Sequence, residues 1–177
     1  MMIGIFLWKQ KSGWILFLLA FFCAACQSDS PLGTLEAYYI EPDFTNMGPK
    51  GDLFPAEVLQ EAKKNYSKQN YQKAISTLEK MPFNSGSYNH SLYLIATIAL
   101  KQGNGNLAVE KYRNYLNSQD QRFIEQAPIN LALAYLHNDQ PDQAKLQIAD
   151  ILENKNAFSL QYIEKARAIH GLLNGGD

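Results

Sequence analysis

From about Pro55 to Asn174 apolar residues recur at three- and four-residue spacing in paired runs, the period of a helix that buries one face. Val58, Leu59, Ala62 and Tyr66 make the first run, answered by Ala74, Ile75, Leu78 and Met81 before Pro82 ends the pattern. Leu92, Ile95, Ala96 and Ala99 are answered by Ala108, Val109, Tyr112 and Tyr115, and Leu131, Ala132 and Tyr135 by Ala144, Ile148, Ile151 and Leu152. A last run, Tyr162, Ile163, Ala166, Ile169 and Leu173, stops at Asn174-Gly175-Gly176. Polar turns separate the partners, and the alanines that open the second helices, Ala74, Ala108 and Ala144, stand 34 and 36 residues apart. Self-similarity at that period marks a stacked helical array. The pattern therefore predicts an all-α fold: an antiparallel helix-hairpin solenoid over residues 55–177, closed by a C-terminal capping helix from Leu160 to about Leu173. Gly103 permits the positive φ of a tight helix exit, and Pro141 opens a helix where its missing N–H costs little.

The first 54 residues follow other rules. Lys9 and Lys11 precede an uninterrupted apolar run from Trp14 to Cys26, followed at once by the polar Gln27-Ser28-Asp29-Ser30. As a helix this run is about 20 Å long, short of the ~30 Å hydrocarbon core, so residues 1–25 read as a signal peptide. An uncleaved anchor, lengthened by the apolar residues Ile3 to Trp8, is the alternative. Residues 26–54 carry too many prolines and glycines for a long helix, with Pro31, Gly33, Pro42, Gly48, Pro49 and Gly51 spread through them. Yet Leu35, Tyr38, Tyr39, Ile40 and Phe44 are apolar groups that a solvated linker does not need. A short helix or turn is expected near Thr34 to Tyr39, in a segment that either caps the first hairpin or lies in the groove of the array. Capping is the expected role, because terminal repeats need their open face covered.

Two resemblances sharpen this outline. Cys23-Ala24-Ala25-Cys26 resembles the bacterial lipobox, in which the final cysteine is acylated and becomes the mature N-terminus; Cys23 stands where that motif usually has leucine. The resemblance implies lipidation at Cys26 and attachment to a membrane through the lipid, and Gln27, which is not the aspartate of an inner-membrane retention signal, favours the outer membrane facing the periplasm or the surface. Cleavage there removes Lys9 and Lys11 and leaves no cysteine except the acylated one, so the mature chain forms no internal disulfide. The hairpins resemble tetratricopeptide repeats, on the small residues paired between helices (Ala62 with Ala74, Ala96 with Ala108, Ala132 with Ala144), on Tyr71 and on the polar turns. The early tryptophan of that family is absent, and its proline after each second helix is displaced or missing. The tyrosine-rich lead-in is similar to that of Bacteroidetes repeat lipoproteins.

Charge and chemistry narrow the function further. With 16 basic and 17 acidic side chains and a formal net charge of -1, the chain lacks the basic stripe that carries affinity for nucleic acid. His90, His137 and His170 fall one to an element, without metal-ligand spacing, and are expected at the surface or partly buried. Asn84-Ser85-Gly86-Ser87 and Gly103-Asn104-Gly105-Asn106 read as turns, since the first lacks a nucleophile elbow and the second the Lys-Ser/Thr of a phosphate loop. No catalytic residues, metal or cofactor are assigned, and an enzyme is not expected.

Function then rests on the surface of the first helices. By the tetratricopeptide resemblance the protein-binding groove includes Tyr93, Thr97, Leu100 and Lys101 in the second hairpin and Ile129, Asn130, Leu133, Leu136 and His137 in the third. Tyr93 and Thr97 stand in place of the lysines and asparagines that grip a partner's terminal carboxylate in that family, and Leu133 and Leu136 serve either the groove or the core. A mainly apolar groove suits a helix or an extended apolar segment. The expected function is a membrane-anchored lipoprotein whose repeats act as a protein-protein interaction scaffold in the cell envelope. The alternative is a glycan-binding module. Charged substitutions at Tyr93 and Ile129 are expected to block the groove and leave the helices folded.

Overall fold

The computed structural model describes residues 35–44, 53–118, 120 and 122–175. The signal peptide expected over residues 1–25, the expected lipidation site Cys26 and the remainder of the lead-in fall outside these residues. The described residues are all helical and contain no strand. Seven α-helices follow a 3₁₀ turn at Glu36–Tyr38: α1 Leu53–Ser67, α2 Tyr71–Leu78, α3 Tyr88–Lys101, α4 Gly105–Leu116, α5 Gln126–His137, α6 Pro141–Glu153 and α7 Leu160–Asn174, with a second 3₁₀ turn at Lys155–Ala157 between the last two. Three hairpins, α1 with α2, α3 with α4 and α5 with α6, pack against one another in chain order, and α7 closes the far end against α5 and α6. The first helices also meet across hairpins, α3 touching α5 and α5 touching α7. α3, α5 and α7 form a continuous inner layer that α1 joins by way of α2, with α2, α4 and α6 outside it.

The predicted alternation of faces explains why these segments hold together. The six paired alanines, Ala62, Ala74, Ala96, Ala108, Ala132 and Ala144, are all fully buried. With only a methyl group at each, the helix backbones approach closely, and the larger residues of the pattern fill the space on either side. Leu59, Leu78, Leu94, Ile98, Ile129, Ile148, Ile151 and Ile169 are shut away completely. The centre of the array is aromatic. Tyr93 of α3 stacks on Phe123 with ring centroids 4.0 Å apart and planes 7° from parallel, and it meets Tyr112 and Tyr115 of α4 edge-on or tilted. Two of the phenols are satisfied within this cluster: the Tyr112 hydroxyl donates to Thr97 Oγ1 at 2.8 Å, which in turn donates to the Tyr93 carbonyl at 2.8 Å, and the Tyr115 hydroxyl accepts from the Phe123 amide at 2.7 Å.

The repeat is most plainly visible in the turns. Gln69, Gly103 and Asp139, at equivalent positions five residues before the three alanines, all have positive φ, at 60°, 72° and 52°. Around each, the same bonds recur. Asn70, Asn104 and Gln140 donate through their amides to the carbonyls of Asn65, Ala99 and Tyr135, each at 2.9 Å. Gln69, Gly103 and Asp139 donate to Tyr66, Leu100 and Leu136. This doublet is the Schellman motif, which satisfies the last carbonyls of a helix while reversing the chain. Asn104 adds a side-chain cap to the next helix, its Oδ1 accepting from the Leu107 amide at 3.2 Å.

One glycine is fixed by close approach rather than by φ. A Cβ on Gly105, at the start of α4, falls 2.7 Å from the backbone at His137 and Asn138. No side chain can yield there, so α4 seats directly on the end of α5.

Two stability outcomes follow. Gln69→Gly relieves a left-handed residue that bears a Cβ and is expected to stabilise the fold by about 1 kcal/mol. Gly105→Ala is expected to destabilise it by roughly 1–3 kcal/mol through backbone overlap. Urea unfolding midpoints of the two variants measure both; a neutral Gly105→Ala would show that α4 and α5 have room to part.

Candidate functional site

Residues 35–44 form a strap that crosses the inner layer. Leu35 and Phe44, near its two ends, are buried in the core of the array, and Tyr38, Tyr39 and Ile40 pack against it half-buried. After the 3₁₀ turn the backbone extends, with Tyr39 at φ -56° and ψ 136°. The strap then bonds to the first helix of every hairpin. On α1, the Tyr66 hydroxyl donates to the Glu41 carboxylate, and the Tyr66 ring lies 5.5 Å from that of Phe44. On α3, the Thr97 carbonyl accepts from the Tyr39 hydroxyl at 2.8 Å, Lys101 pairs with Glu41, and His90 Nε2 lies 3.1 Å from the Asp43 carbonyl. On α5, the Asn130 carboxamide bonds Ile40 twice, Oδ1 accepting from the Ile40 amide at 3.1 Å and Nδ2 donating to its carbonyl at 3.0 Å.

The strap thus spans the array instead of covering only its first hairpin, which corrects the capping role expected from the sequence. The physical reason is that the polar partners of its backbone stand on three successive inner helices. A cap over the first hairpin offers nothing to Ile40 and Asp43, and half-buried amides and carbonyls need partners.

Between the strap and the ends of α3 and α5 lies a cavity of about 280 Å³. Leu35, Glu36, Tyr39 and Glu41 line it from the strap side, Leu100 and Lys101 from α3, and Leu133, Leu136 and His137 from α5. Its floor is leucine and its rim charged. Gly105 seats α4 on the backbone of His137 and so fixes the end of α5 that carries this residue.

The electrostatics centre on Lys101. Its ammonium lies 5.3 Å from the Tyr39 ring centroid and 6.0 Å from that of Tyr66, a favourable position over two aromatic faces. Burial pushes Glu41 up, but the hydrogen bonds from Lys101 and Tyr66, with the Lys101 charge, outweigh it and hold the carboxyl below its ordinary range. The ion pair itself is exposed, so it contributes direction more than energy. Burial pushes the Tyr39 hydroxyl up strongly, and the Tyr66 hydroxyl as well, with Glu41 adding to both. Both phenols stay neutral donors.

Among the sequence-expected groove residues, Leu100, Lys101, Leu133, Leu136 and His137 line the cavity. Asn130 clamps the strap, and Thr97 meets it through its carbonyl while its side chain turns inward to Tyr112. Tyr93 and Ile129 are different: both are fully buried in the core, Tyr93 against Phe123. A charge at either position is buried with it, so binding cannot be separated from folding there as the sequence reading expected.

His90, expected at the surface or partly buried, is fully buried, 5.1 Å from the Phe123 ring and bonded to the strap. Its position four residues after Gly86, in the first turn of α3, hid this. The strap partners Tyr66 and His90 were not among the expected site residues, and Tyr39-Ile40-Glu41 takes the groove position that stood as the alternative to capping. Among the described residues no group of acids, histidines or cysteines is placed to hold a metal. No described helix is long and apolar enough to cross a membrane. Compared with known protein families, curated proteins and solved structures, the chain matches none.

The buried histidine makes the strap acid-sensitive. Burial pushes His90 down to about 4, with Arg122 acting in the same direction and the Asp43 carbonyl, Asp120 and the Asp43 charge opposing. The native state keeps it neutral while the unfolded chain takes up a proton near its ordinary value of 6.5. Its contribution is therefore intact above about pH 6.5 and is lost as pH falls towards about 4, by roughly 3 kcal/mol. His90→Gln is expected to flatten that part of the stability profile; equal slopes in urea titrations of parent and variant would contradict it.

Proposed function

We propose that this chain is a lipid-anchored adaptor of the bacterial cell envelope, acylated at Cys26 and attached to the outer membrane, whose tetratricopeptide-like hairpins hold a segment of a partner protein in the inner groove. The observation that carries the reading is that the groove already holds an extended polypeptide: side chains from α1, α3 and α5 bind Tyr39 to Asp43 through backbone and side-chain groups together. A surface that satisfies one extended backbone has the donors and acceptors to satisfy another. The reading is one of binding without catalysis; among the described residues of the groove no nucleophile is paired with a base. Support for the anchor comes from Cys23-Ala24-Ala25-Cys26 at the junction of an apolar run with a polar one, and an anchor of two or three acyl chains holds stably where one does not.

Intact mass and membrane partition test the anchor. The native protein is expected to begin at Cys26 with acyl mass and to sediment with membranes, and Cys26→Ser to lose both. A full-length unacylated chain would overturn it. For the groove, a photo-crosslinker replacing Leu136 at the cavity is expected to trap envelope protein, and the same group replacing the exposed Lys145 on the outer layer is not. Equal trapping from both faces would remove the groove from the function.

A further inference from the structure

We propose that the groove recognises an extended acidic polypeptide carrying an aromatic hydroxyl two residues before a carboxylate, and that residues 35–44 are the resident segment this partner must displace. The proposal rests on the adaptor reading and specifies the partner and the control of that same site.

The contacts divide by what they read. Asn130 bonds both backbone groups of Ile40, and His90 meets the carbonyl of Asp43. Any residue with a free N–H serves at the first of these positions and any residue at the second, so they hold an extended chain of whatever sequence. The remaining contacts read side chains. The Thr97 carbonyl can only accept, and it selects a donor, the phenol of Tyr39, over a plain phenyl ring. Lys101 and Tyr66 both donate, and together they select the carboxylate of Glu41.

Residues two apart on an extended backbone point to the same side. The phenol and the carboxylate are accordingly read together by α1 and α3, while α5 clamps the backbone between them. Lys101 completes the match by lying over the Tyr39 ring and pairing with Glu41 at once. Pro42 disfavours helical backbone at Glu41, so the strap enters the groove with little conformation left to lose.

The strap is also built to leave. Its acid-base pair lies at the surface, where such pairs hold weakly, and Glu36 and Glu41 are exposed. The cavity between it and Leu100, Leu133 and Leu136 leaves that end packed below the density of the core. An incoming chain has an opening to enter before the strap is gone. Residues 45–52 join the strap to α1, and a segment held by so short a connection competes at an effective concentration on the order of millimolar. A free ligand meets that competition until the strap is weakened.

The test uses the full chain carrying Tyr39→Ala and Glu41→Lys, and a fluorescent peptide with the sequence of residues 35–44. The variant is expected to bind the peptide at least about tenfold more tightly than the parent chain. Adding Asn130→Ala should reverse most of that gain, and replacing the tyrosine of the peptide that corresponds to Tyr39 by phenylalanine, or the glutamate that corresponds to Glu41 by glutamine, should weaken binding severalfold each. Equal binding to parent and variant, or indifference to the replacements at the positions of Tyr39 and Glu41, overturns the proposal. So does absence of binding to a variant whose helical circular dichroism matches the parent. Should the double substitution lower stability, Glu41→Lys alone, at an exposed position, carries the same comparison. A concentration-dependent dimer of the parent that the peptide dissolves would assign the groove to a second copy, against the proposal. If the Leu136 crosslinker traps envelope protein while the peptide is ignored, the partner specificity fails and the adaptor reading stands; if neither occurs, both fail.

Discussion

Everything in this molecule depends on how closely the two helices of a hairpin can approach. Six buried alanines set that distance, and three left-handed turns at Gln69, Gly103 and Asp139 return the chain in the same geometry each time. With the hairpins alike, their stacking puts α1, α3 and α5 side by side. A chain crossing this inner layer then meets side chains from all three. The groove is a consequence of repetition, and its chemistry comes from the few positions where the repeats differ.

Those differences are polar. Asn130 is fully buried, and both ends of its carboxamide are used by one residue of the strap. A buried amide left without partners is costly, which makes the strap as necessary to Asn130 as Asn130 is to the strap. Thr97 ties the two sides of the layer together: its hydroxyl links Tyr93 to Tyr112 within the hairpin, and its carbonyl faces Tyr39. Ordering a segment costs roughly 1–2 kcal/mol per residue, and each hydrogen bond returns about 1 kcal/mol. Ten ordered residues therefore need the apolar anchors Leu35 and Phe44 as well as the polar contacts.

The hairpins were legible because helical periodicity and turn chemistry are local. The paired alanines, the break at Asn174, the turn at Gly103 and the helix start at Pro141 fall where the pattern put them, whereas α2 ends at Leu78, ahead of Met81 and Pro82. Gln69 and Asp139 share the geometry of Gly103 without its residue type, and only their register with the alanines connects them. The site was legible in part. Leu100, Lys101, Leu133, Leu136 and His137 meet at one cavity, because a repeat in register predicts which faces align. Tyr93 and Ile129 went to the core, because the α4–α5 connection brings Phe123 over Tyr93, a contact no periodicity encodes. The course of the strap was hidden for the same reason: its bond to Asn130 joins residues 90 positions apart.

Amide hydrogen exchange at Ile40 tests the central claim most directly, since this amide has a partner only if the strap lies in the groove. The account predicts slow exchange in the parent chain and a return to rapid exchange in Asn130→Ala, with the amides of α3 still protected in both. Exchange at Ile40 as fast as in a free peptide, in a chain whose helices are protected, would contradict it.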